Sequence, residues 1–264
     1  MIPAGFRTRG WCRFPAEPAT LAWCDAAEPA ARRAMAAPEH RDWWRAGGTW
    51  FAGVGVLGND ACGRVGDGPP LAGRAASLAR ALMGADFPGW DPGQVSAVRP
   101  GYPRRAPGES EAAFDYRRRR DAAHVDGILP VGPERRRVIG ELHGLVLGIA
   151  LTDGAPGAAP LAVWEGSHRL IRKALAEALS DVPRENLEKT DISEAYRAAR
   201  RAAFGTCRRV EVVLRRGEAC LLHRHLLHGI SPWRAQDGPT GEARIVVYFR
   251  PVLAAGAAAW LERD

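Results

Sequence analysis

"RRRRDAAHVDGILP", residues 117–130, sets His124 and Asp126 one residue apart between a run of arginines and a short apolar segment. On an extended chain alternate side chains point the same way, so an imidazole and a carboxylate at this spacing can reach one ion. The pair is either a polar turn or two-thirds of a metal site, and a third ligand must come from elsewhere. Three of the remaining histidines fall in "LLHRHLLHG", residues 221–229. A strand over 221–225 puts His223 and His225 on one face. His228 lies just beyond, before Gly229, where the chain can turn. His223 and His225 compete as the distal ligand, but neither has the glycine turn after it. Two histidines and one carboxylate occupy one face of an octahedral Fe(II) and leave the opposite face open.

Working outward, the chain after about residue 94 is a series of short strand-like runs bounded by Gly or Pro. They are "QVSAVRP", "LVLGIALT", "PLAVWEG", "RRVEVVLRRG", "ACLLHRHLLHG" and "ARIVVYFRPVL". This texture predicts a mainly β sandwich or jelly roll with added helices. Helices are expected at 133–143 ("PERRRVIGELH") and within 170–204, where Asp191 is a suitable N-cap. Before residue 94 the spacing predicts a helix from Thr20, its N-cap, kinked or split by Pro29. It also predicts a strand over 49–57 and a helix over 70–84. The expectation is a single domain, 1–264, with a mixed helical region over 1–93 and a jelly-roll core over 94–254.

The bulk composition narrows the function classes. The chain has 264 residues, 46% of them hydrophobic, enough to bury a sizeable core. Its N-terminus has no apolar stretch of signal-peptide length, and its longest apolar run, 145–151, is too short for a bilayer. A cytoplasmic protein with no membrane partner is expected. Five cysteines at wide spacings, with no C-x-x-C, argue against a disulfide framework or zinc knuckle. The net charge of +7 is carried almost entirely by arginine, and the basic runs lack interleaved aromatics. A solvated arginine face is expected rather than a nucleic-acid partner, and a small molecule is the expected substrate.

The segment "HGISPWRAQDGPTGEARIVVYFR", residues 228–250, adds a further element: Arg244 opens an apolar strand after the distal histidine. An iron oxygenase using 2-oxoglutarate needs such a cation, because the distal carboxylate of the keto acid calls for a planar, permanently charged partner. Arg234, in a loop rich in Pro, Gly and Asp, is the less suitable candidate.

With these residues in view, the chain resembles the phytanoyl-CoA dioxygenase-like family of Fe(II)/2-oxoglutarate-dependent oxygenases. The resemblance is carried by "HVD" at 124–126, "PLAVWEGSHR" at 160–169, "GEACLLHRHLLHG" at 217–229 and "ARIVVYFRP" at 243–251. It implies a double-stranded β-helix (a cupin-like jelly roll) with added N-terminal helices. It also implies His124, Asp126 and His228 as metal ligands and catalytic residues, and Arg244 as the 2-oxoglutarate anchor. The cofactors would be Fe(II), 2-oxoglutarate as cosubstrate, and O2. The implied reaction is hydroxylation of a small molecule with release of succinate and CO2, favoured by the presence of Asp126. The chain departs from the family in a longer interval between His228 and Arg244, and in Ile230 where a small polar residue is usual, with Ser231 next to it. His168 and His143 are expected to be structural. The aromatic segment 41–60 is either a wall or lid of the cavity or packing of the N-terminal region. Alternatives are a jelly-roll isomerase or hydrolase holding zinc on the same three ligands, with no need of Arg244, and a non-catalytic ligand-binding protein.

Overall fold

The computed structural model describes residues 3–234 and 243–263. The segment 235–242, which lengthens the interval between His228 and Arg244, lies outside them. In chain order the first elements are α1 (Ala4–Arg9), β1 (Trp11–Phe14), α2 (Pro18–Ala36), β2 (Trp44–Arg45), β3 (Trp50–Gly53), α3 (Arg74–Met83) and β4 (Gln94–Val98). Next come α4 (Glu111–Arg119), β5 (Ile128–Val131), β6 (Arg136–Ile139), β7 (Leu145–Ala150), β8 (Leu161–Trp164) and α5 (Ser167–Ala178). The last are α6 (Ser193–Thr206), β9 (Arg209–Val212), β10 (Ala219–His223), β11 (His228–Ile230), β12 (Arg244–Phe249) and α7 (Gly256–Glu262).

The strands form two facing antiparallel sheets, the architecture of a jelly roll. The larger has the order β1-β10-β7-β12-β4-β3-β2, the smaller β11-β8-β9, and β5 and β6 form a separate hairpin. Alternation along β12 shows how the layers are built. Ile245, Val247 and Phe249 face the helical side, where Trp23 of α2 meets Phe249 edge-on at 5.8 Å. Val246 and Tyr248 face the other way, into a second core with Val146, Leu161, Val163 and Leu222 between the sheets. Both faces of the larger sheet are covered. Its central strands therefore read as unbroken apolar runs rather than as an apolar–polar alternation. β1, β2 and β3 come from the first third of the chain yet complete the larger sheet at its two edges.

The expected helix over 133–143 is instead the hairpin β5–β6, with Ile128 paired to Ile139 and Val131 to Arg136. Its turn closes through a hydrogen bond from the Arg135 amide to the Gly132 carbonyl, both residues having positive φ. The free edge of β6 is satisfied by the start of α6. The Arg137 amide donates to Ser193 Oγ and its carbonyl accepts from the Ile192 amide. That partner lies more than fifty residues away, so local propensity could not anticipate it. The expected break at Pro29 does not occur, since α2 runs through it. Pro29 and Asp25 both lie on the solvent side, where water can satisfy the carbonyl that the proline leaves without its N–H. Thr20 is not the N-cap of that helix; Glu17 is. Ile192 occupies the N-cap of α6, and Asp191 contributes a hydrogen bond from the Ser193 amide at 2.9 Å. The five cysteines are free. No helix of the described residues is long and apolar enough to cross a membrane.

Candidate metal centre

The segment carrying His124 and Asp126 is irregular, and it is fixed by five neighbours. The Asp121 carboxylate takes a two-pronged ion pair from Arg209 on β9, with contacts of 2.7 and 2.9 Å, and Arg209 also donates to Ser231 Oγ. The Ala123 carbonyl accepts from the Tyr116 hydroxyl and from Arg200. The Val125 amide donates to the Tyr196 hydroxyl at 2.9 Å. His124 and His228 exchange two backbone hydrogen bonds, of 2.8 and 3.0 Å, extending the smaller sheet by one bridge. Gly229 permits this approach, because a Cβ there would lie 2.2 Å from the Asp121 carbonyl oxygen. The glycine after the distal histidine therefore makes room for the His-x-Asp segment as well as turning the chain.

These constraints bring the three side chains together, with one potential ligand atom from each within 4.8 Å of the others. Asp126 Oδ1 lies 3.0 Å from His124 Nε2 and 3.7 Å from His228 Nε2. Each ring turns its Nδ1 to a backbone carbonyl, Ala122 for His124 and Leu226 for His228. A carbonyl can only accept, so both Nδ1 atoms carry a proton and both Nε2 atoms face the carboxylate, the arrangement a metal requires. Burial opposes a charge on His124, yet its hydrogen bond to Asp126 raises it overall, so its Nε2 donates to Oδ1 and a metal would displace that proton. Burial opposes ionisation of Asp126, yet His228, His124 and Arg250 together hold its carboxyl well below the ordinary carboxylate range. Burial and the neighbouring His124 push His228 down, against the opposing pull of Asp126, keeping it neutral and able to ligate.

Arg250 was not anticipated from the sequence. It follows β12 directly and lies 3.4 Å from Asp126 Oδ2, the oxygen turned away from His124. It also donates to Gln94 Oε1, and its backbone amide is held by Asp91 Oδ1 at 2.7 Å. An arginine just past a strand end gives no local sign of this contact with a residue 124 positions away. The site opens into a cavity of about 940 Å³ between the sheets, whose walls include Ser96, Val146, Leu161 and Tyr248.

Arg244 is buried between the sheets at the start of β12, and its Nε and Nη2 meet no acceptor among the described residues. A buried guanidinium with unmatched N–H groups is costly unless an anion completes it, so the site fits a carboxylate ligand. Tyr248 and Leu161 line both the cavity at the triad and the small void beside Arg244. Burial raises the Tyr248 phenol to about 12 against the opposing influence of Arg244, so it remains a hydrogen-bond donor. Arg234 is exposed and ion-paired with Glu211 at the surface.

The other histidines lie apart from the triad. His168, in the "EGSH" turn, is buried against His223, with ring centroids 4.9 Å apart. Next to it, Ser167 Oγ accepts from the Leu227 amide at 2.9 Å, tying that turn to the residue before His228. His143 bonds to Glu141 and to the Arg250 carbonyl. The strand containing His223 ends there, so His223 and His225 do not share a strand face; the His225 amide instead donates to His223 Nδ1. His225 is fully buried edge-on to Trp260 at 4.2 Å.

Burial, aided by Arg224, holds His223 and His225 well below the ordinary histidine value of 6.5. Below that pH the unfolded chain binds protons that the folded chain refuses. Stability is thus full above about pH 6.5 and falls as the pH drops toward the lowered native values. Each histidine should contribute a slope of up to about 1.4 kcal/mol per pH unit. Urea unfolding midpoints from pH 7.5 to 5.5 will show this slope, and His225→Leu should reduce it.

No protein-family model matches the chain, and neither does any curated protein. Among solved structures it aligns with SnoK, a non-heme alpha ketoglutarate dependent carbocyclase from nogalamycin biosynthesis. The TM-score is 0.51 at 18% identity, covering 93% of this chain and 81% of that one. The chain has the fold of SnoK. A second alignment, with EctD from S. alaskensis with bound Fe, has a TM-score of 0.47 at 18% identity, over 95% of this chain and 77% of that one. The two facing sheets are the jelly roll expected from the strand pattern. In this chain His228 opens β11 of the smaller sheet, and β12 of the larger sheet carries Arg244 at its start and is followed by Arg250.

Proposed function

We propose that the protein is an Fe(II)- and 2-oxoglutarate-dependent dioxygenase of the phytanoyl-CoA dioxygenase-like kind. It would hydroxylate a small molecule and release succinate and CO2. The observation that carries this reading is the convergence of His124, Asp126 and His228 on a cavity whose wall residues Tyr248 and Leu161 also flank Arg244, a buried cation with unmatched donors. SnoK, with the same fold, is described as alpha ketoglutarate dependent, which supports the choice of cosubstrate. In this reading His124 and His228 offer their Nε2 atoms, and Asp126 offers Oδ1 while Arg250 restrains Oδ2. Arg244 pairs with the distal carboxylate of 2-oxoglutarate, and Tyr248, between the two ends, donates a hydrogen bond. Iron, 2-oxoglutarate and O2 would together supply an oxidant able to hydroxylate an unactivated C–H bond.

The test is anaerobic addition of Fe(II) and then 2-oxoglutarate to the full-length protein. A weak visible charge-transfer band should appear only when both are present. A protein that binds Zn(II) but gives no band with Fe(II) and the keto acid would be an isomerase, a hydrolase or a binding protein instead.

A further inference from the structure

The segment 41–60 forms part of the cavity wall. Trp43 and Trp44 precede the β2–β3 turn, Trp50 follows it, and all three half-buried rings line the cavity that contains His124 and Asp126. Trp44 is fixed from behind, with Arg99 over its ring at 3.8 Å and Phe51 packed at 5.2 Å. Trp50 is fixed by a hydrogen bond to Ser96 Oγ at 3.1 Å and by an edge contact with Tyr102. The wall is therefore aromatic, with Trp44 and Trp50 held in place.

The polar groups of the cavity are mostly committed to one another. Gln94 is bonded to Arg250, Ser96 to Trp50, Glu109 to Arg117, and Asp126 to its histidines and Arg250. Arg45 is exposed at the mouth over the Trp43 ring, at 5.7 Å, and has no carboxylate partner among the described residues. A polyol would find few open hydrogen-bonding groups here, and a flexible chain would gain little from flat, fixed rings. A planar ring system gains stacking contacts, and an anionic substituent on it complements Arg45.

Building on the oxygenase reading, we propose that the cavity takes a planar, aromatic small molecule bearing a carboxylate or comparable anionic group. Its rings would lie against Trp43 and Trp50, and its charge would be read by Arg45. A cavity of about 940 Å³ accommodates a molecule of several fused rings.

The probe is anthracene-2-carboxylate, followed by the anisotropy of its own fluorescence with the metal-free, full-length protein. Neutral anthracene-2-methanol, decanoate and maltose are compared, the last two by competition. The carboxylate should bind about 10-fold more tightly than decanoate and roughly 5-fold more tightly than the methanol, with maltose inert. Arg45→Gln should erase the preference for carboxylate over methanol, and Trp43→Ala should weaken both aromatic probes about 10-fold. Circular dichroism checks the folding of each variant, and the exposed Arg45 makes its variant the safer of the two. Equal or tighter binding of decanoate or maltose, failure of the aromatic probes to bind, or an unchanged preference in Arg45→Gln would overturn the proposal. Because these titrations need no iron, their failure is separate from that of the oxygenase reading. A wild type that binds the probe but gives no charge-transfer band would sink that reading alone.

Discussion

Replacing Asp126 by alanine should lower product formation and coupled O2 consumption by more than about 100-fold, the upper end of what loss of a mere supporting partner of a metal site costs. Asp126 Oδ1 is the atom that faces both imidazoles, and no other carboxylate joins that cluster among the described residues. The fold should survive. Arg250 keeps its bond to Gln94, and His124 and His228 keep their Nδ1 bonds to carbonyls and their mutual backbone pairing. Matched circular dichroism and Fe(II) binding complete the measurement. A turnover close to wild type in Asp126→Ala would contradict the assignment of the carboxylate as a metal ligand.

The second large effect is expected at Arg244. Removing a charged, buried hydrogen-bond partner typically costs about 2–5 kcal/mol, or roughly tens- to thousands-fold in affinity. Arg244→Ala should therefore raise the dissociation constant for 2-oxoglutarate by that factor, measured by titrating the charge-transfer band. Arg234→Ala should leave it unchanged, because Arg234 is exposed and spends its charge on Glu211 at the surface. The contrast is physical. β12 fixes Arg244 in the inter-sheet space, where few waters compete, whereas an exposed pair is screened. Loss of affinity in the Arg234 variant alone would identify the wrong arginine as the anchor.

The sequence by itself determined the parts that depend on short-range geometry. The His-x-Asp spacing pointed to His124 and Asp126 as a pair, although the segment that carries them is irregular rather than a strand. A histidine before Gly229 singled out His228 over His223 and His225, although the tighter reason for the glycine is the close approach of Asp121. The main strands were legible because β-branched and aliphatic runs between Gly and Pro have few other stable conformations in a core. Only the tertiary structure decided what depends on partners far along the chain. Residues 133–143 became a hairpin arm because α6 satisfies its edge, against a local composition that favours helix. Arg250 met Asp126, Arg244 was left with unmatched donors, and three tryptophans before and on β3 came to wall the same cavity. Such contacts follow from which strands pair and which faces are buried. That choice minimises exposed apolar surface and unpaired backbone over the whole chain, so no local stretch of sequence encodes it.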